Sequence, residues 1–406
     1  TFKTSIEGSA FGAGVAASSV LYLILAMIMG IALYRGRLAL WKVTLIFLPF
    51  LLGIIWLGPR LPEVVLAPLS GLSVKQWDAI LLLYCLIASI IPVWLLLQPR
   101  GYMGGWFLYL VIFIGLAGAL CGGFSMEYPA INLSGLKSLA NGKNIFPILF
   151  ITIACGACSG FHGIVSSGTT SKQVKKERDS IPITYGAMLL EGLVAVLAIV
   201  TVIILPKGSP LLKADPNLIY AGGIARSLGL FNIPYEAGLL FALLAFSTFV
   251  YDTLDVCTRL ARYILQELTG LSSKKGGLIC GIASVFLPFV FLMASKEKGY
   301  LAAWPLFGAS NQLLASIILL AVSVWLIHLG RRPWYTILPM IFMWTVTSWA
   351  LVNLSLPFVK SLFNLSGGVF PSADTWLLGL CGILLLGLSL MLIMEAARVL
   401  FLRERR

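Results

Sequence analysis

The feature that most constrains this chain is a repeated one. Apolar runs, each long enough to form a membrane-crossing helix, follow one another with short polar connectors between them. They lie at 11–34, 40–58, 76–98, 102–123, 144–168, 182–205, 235–258, 276–294, 301–328, 334–352 and 374–400. A helix rises about 1.5 Å per residue, so about 20 residues cross a hydrocarbon core about 30 Å thick. A helix also satisfies its own backbone hydrogen bonds, which lipid cannot do. The runs are continuous, whereas a transmembrane β-barrel needs alternating segments of about ten residues. The expected fold is an all-α integral membrane protein. It has about eleven transmembrane helices in one polytopic domain over 1–406.

Composition excludes the alternatives. The 406 residues are 59% hydrophobic and 11% charged, against about 25% charged in a soluble domain. A soluble fold lacks the polar surface to cover this much apolar area. The net charge of +13 is not a nucleic-acid signal, because the basic residues cluster between apolar runs and no basic face alternates with stacking aromatics. The partners expected are the lipid bilayer and a small-molecule solute, with no nucleic acid. Nothing in the sequence indicates an oligomeric state.

The basic clusters give the helices a direction. Arg35, Arg37, Lys42, Arg100, Lys172, Lys175, Lys176, Arg178, Arg259, Arg262, Lys274, Lys275, Arg331, Arg332 and Arg398 fall at the ends of alternate runs. By the positive-inside rule, that side is cytoplasmic. Thr1 is then outside and Arg406 inside. The chain opens on Thr1 rather than Met, in a stretch that reads neither as a signal peptide nor as a natural start. An odd number of runs agrees with helices missing from the front.

Seven cysteines, at 85, 121, 155, 158, 257, 280 and 381, all lie within apolar runs. They read as small packing residues, not as a disulfide framework or a metal site. Cys155 and Cys158 have redox-motif spacing but sit in ITIACGACSGF, inside an apolar run. No nucleophile triad, Walker loop or metal-ligand pattern occurs. The reading is therefore not an enzyme, with no cofactor beyond a coupling ion, H+ or Na+. The polar connection 206–234 reads as a short amphipathic helix or a lid.

Ionisable groups at membrane depth are costly and so are functional candidates. Glu191, in YGAMLLEGLVAVLAIV, reads as a proton carrier or cation ligand, or as a carboxyl that hydrogen-bonds a neighbouring helix. Asp252 and Asp255 are three residues apart and share a helix face. They read as an ion site with Ser247, Thr248 and Thr253 as oxygen donors, or as an Asp255–Arg259 pair at i, i+4. His162 lies among glycines and hydroxyls, including Ser166 and Ser167, and reads as a titrating or substrate group or as a packed imidazole. Three places read as broken helices: Pro92 to Arg100, Trp304 to Gln312, and FSTFVYDTLD. In transporters, such breaks aim helix ends at substrate and ions. Asn311 and Gln312 could then bond a substrate carboxylate or amide, with Arg100 as a gate.

Five segments carry a resemblance. They are FPILFITIACGACSGFHGIVSSGTTSKQ at 146–173, ITYGAMLLEGLVAVLAIV at 183–200, ASIIPVWLLLQPRGY at 88–102, FALLAFSTFVYDTLDVCTRLARYILQEL at 241–268 and WPLFGASNQLLAS at 304–316. In this order they resemble the carbon-starvation protein A family. The resemblance implies a bacterial or archaeal inner-membrane carrier of peptides, or of pyruvate with protons. It also implies a five-plus-five inverted-repeat fold similar to the amino-acid/polyamine/cation transporters. Family members begin with further helices, including a segment resembling GPxxGPVLAAQ that is not found here. The resemblance thus implies roughly three helices absent from the front, and a 206–234 connection shorter than in many relatives.

The sequence reading is a secondary active transporter that imports a small organic solute, a short peptide or a small carboxylate such as pyruvate. A proton or sodium gradient would drive it, with Glu191, Asp252 and Asp255 for ion coupling. His162, Ser166, Ser167, Asn311, Gln312 and Arg100 would contact the substrate. The rival classes are a membrane solute sensor or receptor and a passive channel.

Overall fold

The protein is described by a computed structural model covering residues 11–129, 146–154, 158–295, 300–363 and 373–401. Thr1, Arg406 and Cys155 lie outside the described residues. In chain order the helices are α1 (Phe11–Tyr34), α2 (Leu40–Leu57), α3 (Glu63–Gly71), α4 (Val74–Ile90), α5 (Leu97–Cys121), α6 (Ile148–Ile153) and α7 (Gly160–Val165). They continue with α8 (Ala187–Ile203), α9 (Pro216–Leu228), α10 (Tyr235–Thr269), α11 (Lys274–Ala294), α12 (Tyr300–His328), α13 (Trp334–Phe363) and α14 (Ala373–Phe401). The described residues are helices joined by turns, as the apolar runs require.

Among the described residues, nine helices are long and apolar enough to cross a membrane, or ten if the bent pair α3 and α4 counts as one span. The expectation of about eleven runs into two places. Run 76–98 becomes α4, which ends at Ile90 and is bent by 105° from α3. Run 144–168 is divided into two short helices, α6 and α7. The first departure involves local chemistry that hydropathy does not register. Ser73 and Gln76 form a capping box that starts α4 afresh. Pro92 removes the next backbone donor beyond its end.

The outer faces fit a lipid solvent. On α1, Val20, Ile24, Ile28 and Ile31 form an exposed apolar stripe, while Val15, Tyr22, Ala26 and Met29 on the opposite side are buried. Trp41, Trp56, Phe286 and Leu287 are likewise exposed. Apolar exposure on this scale marks a surface made for a partner other than water, here the bilayer.

The chain divides into two compact units. One comprises the described parts of Thr1–Ala130 and Leu189–Val290, the other those of Ile131–Met188 and Phe291–Arg406. The first unit is built around α1, α5, α9 and α10, whose core holds Tyr22, Met29, Phe107, Ile224, Leu243 and Leu244. Of the two readings of connection 206–234, a short helix or a lid, the helix is the one found. Its helix α9 is buried from Ala221 to Ala225 and again at Ser227 and Leu228. A Cβ on Gly223 would lie 2.2 Å from Thr201 Cβ of α8, and one on Gly118 of α5 would lie 2.1 Å from Ser227 Oγ. Close approach through small residues substitutes for a hydrophobic drive that lipid does not supply. In the second unit, Ala309, Val346, Ala350 and Leu351 pack with Ile151 between α12, α13 and α6.

Candidate functional site

The first unit places a buried charge cluster between α4, α5 and α10. Helix α5 starts just after the Pro92 break, and Pro99 falls in its first turn, where no intrahelical N–H is needed. Pro99 is therefore accommodated at the start of the helix and does not break one, contrary to the sequence expectation. It leaves Arg100 in the first turn, with its backbone N–H on Leu96 O at 3.1 Å and its side chain fully buried. The Tyr22 hydroxyl donates to Arg100 O at 2.7 Å, tying α1 to this turn.

The Arg100 guanidinium is shared among three partners. Nη2 donates to Asp252 Oδ1 at 2.9 Å, Nη1 donates to Tyr84 OH at 2.6 Å, and Nη1 also pairs with Asp255 Oδ2. Tyr84 in turn donates to Asp255 Oδ2 at 2.9 Å, and its ring meets Tyr251 edge-on at 5.4 Å. The two carboxylates differ in exposure: the Asp255 side chain is 2% exposed and that of Asp252 is 50% exposed. Two buried polar atoms remain without a partner, Arg100 Nε and Asp255 Oδ1. One guanidinium thus faces two carboxylates, an arrangement with one negative charge in excess when both are ionised.

Asp255 does not pair with Arg259, as the i, i+4 spacing on α10 had suggested. Arg259 turns to α4, where Nη2 donates to Ala88 O and Ile91 O, each at 2.6 Å. Two of the basic residues assigned to cytoplasmic connectors, Arg100 and Arg259, are therefore buried among helices. Helix α10 itself is continuous over Tyr235–Thr269, so FSTFVYDTLD is not a break. Ser247 and Thr248 donate back to Leu244 O, and Thr253 to Phe249 O. These bonds run along the helix, a common use of hydroxyls in helices.

Beside the cluster is a cleft of about 230 Å³ lined by Arg100, Gly101, Gly104, Gly105, Leu108, Thr248, Phe249 and Asp252. The three glycines lie on one face of α5 at i, i+3 and i+4. A Cβ on Gly105 would meet nothing within 4 Å, and one on Gly101 would sit 3.7 Å from Asp252 Oδ1. Their missing side chains keep the cleft open next to the guanidinium.

The other predicted residues fall elsewhere. Glu191 is exposed on α8 and makes no hydrogen bond or ion pair among the described residues. His162, Ser166, Ser167, Asn311 and Gln312 belong to the second unit. His162 is exposed, with its ring beside Phe161 at 6.3 Å. Ser166 and Ser167 donate to Gly163 O and Ile164 O, one turn back. Helix α12 runs unbroken through Pro305, so Trp304–Gln312 is not a break either. Asn311 Oδ1 accepts the Phe161 N–H at 2.7 Å, which closes the first turn of α7. Gln312 is fully buried and Nε2 donates to Ile151 O at 3.4 Å. Both amides hold the divided 146–165 segment against α12.

Sequence reasoning undervalued Arg100 and missed Tyr84, Tyr22 and the glycine face. The signal for the last was present in RGYMGG, an arginine followed by glycines at helical spacing. Among the described residues no group of three or more His, Cys, Asp and Glu is placed to hold a metal ion.

Fold and site together define a multi-pass helical membrane protein with a charged, glycine-lined cleft in its first unit. The chain belongs to the family described as carbon starvation protein CstA, whose model matches residues 4–219 and 207–350. It is 31% identical over 341 residues to the "Peptide transporter CstA" of Helicobacter pylori, covering 68% of this chain and 48% of that one. It is 30% identical to the "Pyruvate/proton symporter BtsT" of Escherichia coli, covering 66% and 49%. The "Peptide transporter CstA" of Bacillus subtilis is 29% identical, covering 79% and 61%. The chain spans about half the length of the first two. No solved structure matches it.

Proposed function

We propose that this chain forms the membrane core of a secondary active transporter that imports a small organic solute. The solute is a short peptide or a small carboxylate such as pyruvate, and a proton or sodium gradient across a bacterial inner membrane drives it. The observation that carries the reading is the Arg100–Asp252–Asp255 cluster beside an open cleft. Ionisable groups at membrane depth are costly, so a charge cluster that opens on a cleft is a candidate for transport. The names of the relatives, one a peptide transporter and one a pyruvate/proton symporter, agree with it.

The test is uptake by proteoliposomes. Radiolabelled pyruvate and dialanine are expected to accumulate when an inward proton or sodium gradient is imposed, and an ionophore is expected to abolish the accumulation. Equilibration without accumulation would identify a passive channel, and binding without uptake a solute receptor. Either result overturns the transporter reading.

A further inference from the structure

Asp252 holds Arg100 by a single oxygen. Its Oδ1 accepts from Nη2 at 2.9 Å, while the adjacent Nε is buried without a partner. Nε–H and an Nη2–H lie on one edge of the guanidinium, a fork that matches the two oxygens of a carboxylate. The fork is thus half used. Asp255 and Tyr84 engage the other amino group, Nη1, so Arg100 stays anchored whatever occupies the Nε–Nη2 edge. Asp252 is the half-exposed partner and lines the cleft.

We propose that the α5–α10 cleft is a carboxylate-exchange site. A substrate carboxylate takes the Nε–Nη2 edge of Arg100 with both oxygens, and Asp252 leaves that edge as the neutral acid. The exchange breaks and forms only hydrogen bonds, apart from one proton that passes from solvent to an Asp252 carboxyl oxygen. Charge demands the proton. Two carboxylates already face one guanidinium, and a third anion in a low-dielectric site is unfavourable unless one acid is neutralised. Binding of the anion and uptake of a proton are then one event. The titratable or charged groups that face Asp252 are Arg100 of α5, Tyr22 of α1 and Asp255 of α10, and around Arg100 and Asp255 lie Tyr84 and Cys85 of α4 and Tyr251 of α10. Of the two acids, Asp252 is the one that reaches the cleft. The cleft volume of about 230 Å³ lies below the range of about 300–1,000 Å³ for drug-sized ligands, which suits a short 2-oxo acid or the carboxyl end of a dipeptide. The inference deepens the transporter reading and rests on it for turnover, not for binding.

The test uses the full chain in lipid nanodiscs, with radiolabelled pyruvate and dialanine as probes and pyruvamide and dialanine amide as competitors. At least one acid is expected to bind, with the matching amide competing at least about tenfold more weakly, as a fork-bound carboxylate requires. Pyruvate alone binding assigns the site to a small acid, and dialanine alone binding to a peptide terminus. Gly105→Leu is expected to abolish binding at unchanged melting temperature, because its Cβ meets nothing within 4 Å and Gly105 lines the cleft. Wild-type affinity is expected to fall as pH rises, by up to about tenfold per pH unit for one proton taken up on binding, and Asp252→Asn is expected to bind with no such dependence. Binding of neither acid, equal competition by the amides, binding that survives Gly105→Leu, or pH dependence that survives Asp252→Asn each overturns the site. Carboxylate-selective binding without uptake overturns the transporter reading alone. Uptake without carboxylate-selective binding overturns the site alone.

Discussion

Arg259 Nη2 donates at 2.6 Å to the carbonyl of Ala88, which is the carbonyl that Pro92, four residues on, leaves without a helical donor. A proline inside an apolar run deletes one N–H, and in a membrane no water replaces it. The guanidinium of a helix far along the chain supplies the missing hydrogen bonds, to Ala88 and also to Ile91. A charge read from sequence as a surface label is thus a structural plug for a broken helix end.

That relationship predicts an epistatic pair. Arg259→Leu orphans two carbonyls, at about 1–3 kcal/mol each, and is expected to lower thermal stability in detergent markedly. Pro92→Ala restores a donor to Ala88 and is expected to recover part of the loss in the double variant. Strictly additive melting temperatures would show that the two positions do not share this carbonyl.

The two aspartates are predicted to differ. Asp255→Ala leaves the fully buried Arg100 short of its anchoring partner, and breaking such a pair costs about 3–5 kcal/mol. Asp252→Ala removes a half-exposed partner and is expected to cost about 1 kcal/mol or less. Thermal unfolding in detergent checks the order, and equal losses would contradict the division between anchor and exchangeable partner.

Packing between α8 and α9 is testable through Gly223. An alanine there puts Cβ 2.2 Å from Thr201 Cβ, and overpacking of this kind costs about 1–3 kcal/mol. Gly53→Ala in α2 meets nothing within 4 Å and is expected to be neutral or to stabilise by up to about 1 kcal/mol, through helix propensity. The pair separates close approach from glycine content in one denaturation experiment.

Asn311 is predicted to act as a cap. Asn311→Asp keeps the acceptor for the Phe161 N–H and is expected to retain most of the stability. Asn311→Leu loses it, at about 0.5–2 kcal/mol for a lost cap. Hydrogen exchange at the start of α7 gives the direct readout, with faster exchange expected only in the leucine variant.

Much of the fold was legible because hydropathy is a property of each run taken alone. A run such as 182–205 or 334–352 must become a membrane helix, since only a helix satisfies its own backbone there. The resemblance carried by segments such as 304–316 pointed to the family. Several local judgements did not survive folding, and three concern where helices break. Pro305 and FSTFVYDTLD read as breaks, yet α12 and α10 pass through them, while 144–168 read as one span and is divided. The outcome at a proline depends on which neighbour takes up the freed carbonyls, and that neighbour is not in the local sequence.

The sequence by itself determined a helical membrane protein, its small set of ionisable groups at depth, and the break at Pro92. Tertiary structure alone decided which of those groups belong together. Arg100 meets Asp255 across 155 residues of chain, while Arg259, four residues from Asp255, turns away to the end of α4. Glu191, equally conspicuous as a sequence letter, is left exposed on α8. The physical reason is that a buried charge is placed by its partners, and partners are chosen by helix packing in space, not by spacing along one helix.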